Sequence, residues 1–173
     1  CNACQSCREI TEGRSLDVVE IDGASNRGIN EIREVLEAVR YAPSRDRYKI
    51  YIIDEVHMLN NEAFNALLKT LEEPPERVKF IFATTEVRKV PTTVLSRCQR
   101  FDLRRVAPEL LNVHFKNIVQ KENVEAEDEA LRRIATAADG SVRDGLSLLD
   151  QAIAHGGGKV TAEFVRAMIG LAD

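Results

Sequence analysis

Few folds accommodate the stretch 48–58, which reads Tyr-Lys-Ile-Tyr-Ile-Ile-Asp-Glu-Val-His-Met. Ile50, Tyr51, Ile52 and Ile53 form an unbroken β-branched and aromatic run that follows a charged loop at 44–47 and closes on two acids. Such a run suits a strand buried on both faces of a parallel sheet. Asp54 and Glu55 then stand at the strand's carboxyl end, where open α/β sheets place their ligands. Adjacent carboxylates on a strand point to different sides, so the two can take different tasks. One can hold a hard cation such as Mg²⁺. The other can orient or deprotonate a water attacking a phosphoryl group. The plainer reading of an Asp-Glu pair is a solvated strand end leading into a helix cap; the apolar run in front of it favours the chemical one.

Around this stretch the pattern alternates. Residues 16–21 read as a strand, 22–28 as a loop of turn formers, and 30–41 as a helix with Ile29, Ile32, Val35, Leu36 and Val39 on one stripe, ended by Pro43. Asn60 or Asn61 caps a helix carrying Phe64, Leu67, Leu68 and Leu71, stopped by Pro74-Pro75. Residues 78–83 form a third buried strand ending in Thr84-Thr85-Glu86, and 90–96 a short helix with Pro91 in its first turn. A fourth strand is expected near 100–103. Alternating strands and helices predict a parallel sheet with right-handed crossovers. Beyond it, 108–122, 128–138, 141–155 and 161–169 read as helices, with Leu131, Ile134, Leu146, Leu149 and Ile153 at helical spacing.

The chain has 173 residues, enough for one domain or one and a half, and a net charge of −4. Any nucleic-acid surface must therefore be a local patch. No apolar run approaches the ~20 residues that cross a bilayer. The first residue is Cys rather than Met, so the chain reads as a piece of a longer protein. Of four cysteines, Cys1, Cys4 and Cys7 form Cys-x2-Cys-x2-Cys, too tight for pairing among themselves and suited to one shared metal ion. Three thiolates are one short of a closed tetrahedral zinc site. Cys98, beside Arg97, is a poor fourth ligand. Iron–sulfur ligation uses similar spacing, though the Pro that follows it in bacterial ferredoxins is absent.

Taken in order, Cys-x2-Cys-x2-Cys, Ile-Ile-Asp-Glu-Val-His-Met-Leu, Ala-Leu-Leu-Lys-Thr-Leu-Glu-Glu-Pro-Pro, Ala-Thr-Thr, Leu-Ser-Arg-Cys and Gly-Ser-Val-Arg-Asp carry a resemblance over essentially the whole chain. The sequence resembles the gamma/tau family of bacterial DNA polymerase III clamp-loader subunits, within the AAA+ ATPases. The resemblance implies an α/β P-loop-type core over 1–106, with a zinc module at 1–14, and a helical lid over 107–173. It implies that Asp54 is the Walker B magnesium-associated acid and Glu55 the water-activating acid. Thr85, or less well Thr84, matches sensor 1; Arg97 matches the arginine finger that reaches ATP on a neighbouring subunit; Arg143 matches the sensor-2 arginine. Cys1, Cys4 and Cys7 match three of four zinc thiolates. ATP, Mg²⁺ and Zn²⁺ are the implied cofactors. The other subunits of a ring, the sliding clamp and primed DNA are the implied partners, in the cytoplasm, with no membrane. Ser25, Asn26 and Arg27 are candidates for phosphate-directed DNA contacts.

The departures matter equally. The family's Gly-x4-Gly-Lys-Ser/Thr loop, its first strand and its C-terminal collar are not among these residues. The 173 residues alone are therefore expected to be inactive. A branch-migration or initiator ATPase, and a non-catalytic zinc-ribbon module, are the competing readings. The cysteine cluster argues against the first and the Asp54-Glu55 strand against the second.

Overall fold

In the computed structural model, which describes residues 1–170, β1 (Val18–Asp22), β2 (Lys49–Asp54) and β3 (Val78–Phe82) form a parallel sheet in that order. Val18 pairs with Ile50 and Asp22 with Asp54 across one ladder; Lys49 pairs with Val78 across the other. Parallel neighbours need long connections. Helix α2 (Ile29–Ala38) supplies the first and α3 (Asn61–Glu72) the second. The Asn60 side chain caps α3 by accepting the Ala63 N–H at 2.8 Å. Helix α1 (Gln5–Thr11) precedes the sheet, and the short α4 (Thr92–Leu95) follows it.

The alternation of the strands decides where the core lies. Tyr51 and Ile53, 1% and 0% exposed, face Ile32 and Val39 of the α2 segment and Ala63, Phe64 and Leu67 of α3. Full burial of such side chains is worth about 1.5–3 kcal/mol each. Ile50 and Ile52 are only half-buried, and Ile81 on the same face is 49% exposed. Two-sided burial of β2 is therefore corrected to one fully covered face, because both crossover helices pack on the side of Tyr51 and Ile53.

Element ends shift for local reasons. Leu16 is 75% exposed and lies outside β1; pairing starts where Asp17 O accepts the Ile50 N–H at 2.7 Å. Helix α2 stops at Ala38 and not Tyr41, since Arg40 and Tyr41 turn back with i→i−3 bonds to Glu37 and Ala38. Pro91 lies just before α4, its carbonyl accepting from Val94 and Leu95. Residues 100–103 do not form the fourth strand, and Phe101 and Leu103 are 74% and 95% exposed. Extended backbone becomes a strand beside a neighbour that completes its ladder. Among the described residues no strand pairs with 100–103 to complete such a ladder.

The chain divides after Phe101. The second unit holds α5 (Pro108–Lys121), β4 (Glu125–Ala126), α6 (Asp128–Ala137), α7 (Val142–His155), β5 (Lys159–Val160) and α8 (Ala162–Gly170). Leu111, Phe115, Leu131, Ile134, Leu149 and Val165 form its core. At Gly145 a Cβ would lie 2.3 Å from the Phe115 ring, so only glycine lets α7 approach α5 this closely. Leu146 is 36% exposed and contributes less than its spacing suggests. The parallel two-residue pair β4–β5 carries no periodicity long enough to be read beforehand. No described helix is long and apolar enough to cross a membrane.

Candidate active site

The site is built on the turn where β2 ends. Asp54 is the last strand residue; it is exposed, and its Oδ1 accepts the Glu55 N–H at 2.9 Å. Glu55 is not on the strand. Its backbone is left-handed (φ 45°, ψ 44°), a conformation that costs an L-residue roughly 1–2 kcal/mol. The two acids are thus separated by a backbone reversal and not by strand alternation. A 3₁₀ turn at Val56–Met58 follows, with Val56 buried. Two backbone bonds clamp the turn to the end of β3: Val56 N–H to Ala83 O and Ala83 N–H to Ile53 O, both 3.0 Å.

That clamp brings the hydroxyl pair to the acids. Thr85 Oγ1 donates to Glu55 Oε2 at 3.1 Å. Thr84 instead lies 2.8 Å from His57 Nδ1, and His57 Nδ1 lies 3.2 Å from the same Glu55 oxygen. His57 was not among the residues picked out by sequence, and within Asp-Glu-Val-His only its spacing to the acids could have flagged it. On the other flank, the Gly23 N–H donates to Asp54 O at 2.8 Å. A Cβ on Gly23 would meet the Asp54 and Glu55 carbonyl oxygens at 2.8 Å, so the loop after β1 lies directly against the acid turn.

Within that loop, Ser25 donates to the Asp22 carboxylate at 2.6 Å and Asn26 to the Asp22 carbonyl at 2.9 Å. The Ser25 hydroxyl first, and then the Ala24 N–H, holds the Asp22 carboxyl below its ordinary range. Both side chains serve the loop itself. Arg27 is exposed and uses its Nε on Ala24 O.

Arg97 follows α4 and does not stand free. It pairs with Glu72 at the end of α3, and its Nη1 donates to Thr93 O at 2.6 Å. The home acid is thus Glu72, the first acid of Leu-Glu-Glu-Pro-Pro, rather than Glu86 or Asp102; Glu86 binds Lys89 at 2.6 Å. Arg143 belongs to the second unit, exposed in the first turn of α7, whose amino end Ser141 caps through the Asp144 N–H.

The sulfur atoms of Cys1, Cys4 and Cys7 all lie within 4.8 Å of one another, those of Cys1 and Cys7 at 3.6 Å. Thiolates sharing a tetrahedral zinc at about 2.3 Å stand about 3.7 Å apart, close to the Cys1–Cys7 separation of 3.6 Å. A hydrogen bond with Cys4, then the Asn2 N–H, holds the Cys7 thiol below its usual range. Cys98 packs beside the core of the first unit, and burial pushes its thiol up.

Comparison with known proteins bears on this arrangement in three ways. A family model described as DNA polymerase III, delta subunit, matches residues 1–107, and one described as DNA polymerase III clamp loader subunit, ATPase lid domain, matches 111–158. The chain is 51% identical over all 173 residues to DNA polymerase III subunit tau of Escherichia coli K12, of which it covers 27%. It is 55% identical over 157 residues, 91% of its length, to subunit tau of Bacillus subtilis 168, of which that match covers 28%. The chain belongs to the tau/gamma family of DNA polymerase III clamp-loader subunits. It spans about a quarter of the length of these relatives. The chain also shares the fold of the Thermotoga maritima RuvB Holliday junction branch migration motor (TM-score 0.73, 17% identity, covering 95% of this chain and 55% of that one). That likeness carries the AAA+ architecture; the identity to tau subunits separates the chain from branch-migration motors.

Proposed function

We propose that these residues form part of the ATP-hydrolysing core, and the lid, of a clamp-loader motor subunit, which loads a sliding clamp onto primed DNA within a ring of partner subunits. The observation that carries the reading is the Glu55 carboxylate at the end of the central strand, with Oε2 held by Thr85 and Oε1 facing no protein partner among the described residues. In this reading Oε1 accepts a proton from the water that attacks the terminal phosphoryl group. Asp54, exposed with one oxygen engaged by Glu55 N–H, suits a hard cation, and would hold Mg²⁺ through its other oxygen. The ion, when bound with ATP, neutralises charge on the phosphate oxygens.

Thr85 orients the base, Arg97 serves the neighbouring subunit's nucleotide, and Arg143 that of its own subunit. The Arg97–Glu72 pair is partly solvated, 32% and 49% exposed, and such pairs are worth about 0–1 kcal/mol. A phosphate that accepts from the guanidinium in two places displaces Glu72 easily. Cys1, Cys4 and Cys7 would hold Zn²⁺ in a structural role. Arg27 is the remaining candidate for a DNA phosphate.

The test is Glu55→Gln in the full-length protein. Hydrolysis should fall at least about a hundredfold while ATP binding is retained, because the amide keeps the shape and loses the basic oxygen. A Glu55→Gln protein that hydrolyses ATP at the normal rate overturns the reading.

A further inference from the structure

Glu55 is held by one oxygen only. Oε2 accepts from Thr85 at 3.1 Å and lies 3.2 Å from His57 Nδ1, while Oε1 has no hydrogen-bond partner among the described residues. His57 Nδ1 is also 2.8 Å from Thr84 Oγ1, which accepts the Glu86 N–H at 3.0 Å. The histidine side chain is 6% exposed and the glutamate side chain 35%. A buried ring thus lies against a carboxylate that reaches solvent.

Where the ring proton sits follows from its neighbours. With a proton on Nε2 alone, the Nδ1 lone pair would face an anionic oxygen 3.2 Å away, a repulsive arrangement. With the proton on Nδ1, the ring donates into the gap between Glu55 Oε2 and Thr84 Oγ1, and both oxygens accept. Thr84, fixed by the Glu86 N–H, keeps the ring from turning away.

The geometry points to His57 as a positioning residue for Glu55: its Nδ1–H, with the Thr85 hydroxyl, pins Oε2 so that Oε1 is the oxygen presented to water. This deepens the reading of Glu55 as the water-activating acid and rests on it. The gain is orientation, since a misplacement of about 1 Å in a reacting group costs on the order of a hundredfold in rate. The left-handed backbone at Glu55 has the same requirement, because a strained conformer persists only where its surroundings over-determine it. His57 transfers no proton in this scheme; the water's proton goes to Glu55 Oε1.

The experiment compares two amides in the full-length protein. The side-chain amide of His57→Asn reaches the place of Nδ1, whereas that of His57→Gln reaches the place of Nε2. His57→Gln should lower kcat for ATP roughly tenfold to a hundredfold with KM changed less than about twofold. His57→Asn should keep at least about a third of kcat. Added to Glu55→Gln, His57→Gln should change the residual rate less than about twofold, because it acts through the missing base. Equal loss in the Asn and Gln variants, or a full multiplicative loss in the double variant, assigns His57 to packing and overturns the inference. Normal activity in His57→Gln overturns it alone, provided Glu55→Gln is inactive. Normal activity in Glu55→Gln overturns both readings.

Discussion

Asp17, 3% exposed, holds a loop together with three charge-assisted bonds. Its carboxylate accepts the N–H groups of Ser44, Arg45 and Asp46 at 2.6, 2.8 and 2.9 Å. Burial alone would push this carboxyl up; the backbone donors of Asp46, Ser44 and Arg45, with the charge of Lys49, outweigh it and hold the group below the usual carboxylate range. A carboxyl depressed in the folded state contributes stability that is complete above its ordinary value and is lost as pH falls through the lowered one. Asp17→Asn should therefore cost about 2 kcal/mol at neutral pH, seen as a lower denaturant midpoint. The gap to wild type should narrow in acid, below the ordinary aspartate range. A gap that stays constant with pH would mean that shape, and not charge, does the holding. Neither Asp17 nor His57 was legible beforehand, since the partners of Asp17 lie 27–29 residues away and those of His57 up to 27.

At the scale of elements, the cysteine module is tied to the opposite end of the sheet from the acids. Helix α1 reaches Arg45 through Glu9 at 2.7 Å, Arg45 N–H binds Asp17, and both anchors lie at the amino ends of β1 and β2. The Arg45 guanidinium, then Gln5, holds the Glu9 carboxyl below its ordinary range. A metal held by the proposed cysteine site would fix α1 and leave the Asp54 end to its own clamp on Ala83. Cys4→Ser in the full-length protein should lower its zinc from about one ion per chain, measured by elemental analysis. Hydrogen exchange should rise over residues 1–11 and stay unchanged over β2. Full zinc content in the variant, or a loosened β2, would refute this division. The alternating pattern made the parallel strands and their crossovers legible, because burial against a helix imposes a period that can be counted. It could not show that both crossover helices lie on one face, nor the β4–β5 pair.

For the whole molecule, the sharpest test is of the role proposed for Arg97. Its partner at home, Glu72, lies at the surface, so removing the guanidinium leaves the core of the first unit intact. In the assembled full-length protein, Arg97→Ala should spare ATP binding and lower hydrolysis by roughly 10³–10⁵, the worth of an arginine supplied in trans. Arg97→Lys should not restore it, since an ammonium cannot reproduce the planar fork. In rings carrying Arg97→Ala in one subunit, activity should be lost at the neighbour's site. Loss confined to the variant subunit's own site would show that Arg97 acts at home with Glu72.

Local chemistry along the chain was enough for the α/β class: a β-branched run ending in Asp54-Glu55 and alternating strands and helices are readable residue by residue. The family and its AAA+ fold came from the resemblance that the ordered motifs carry, and the comparisons bear it out. Tertiary structure alone decided how the acids are presented. The left-handed turn at Glu55, the choice of Thr85 for its carboxylate and of Thr84 for His57, and the pairing of Arg97 with Glu72 join residues up to 30 apart. The physical reason is that a hydroxyl, an imidazole or a guanidinium is satisfied by whichever partner the packed sheet brings within about 3 Å, and that distance is set by the clamps between strands, not by position along the chain.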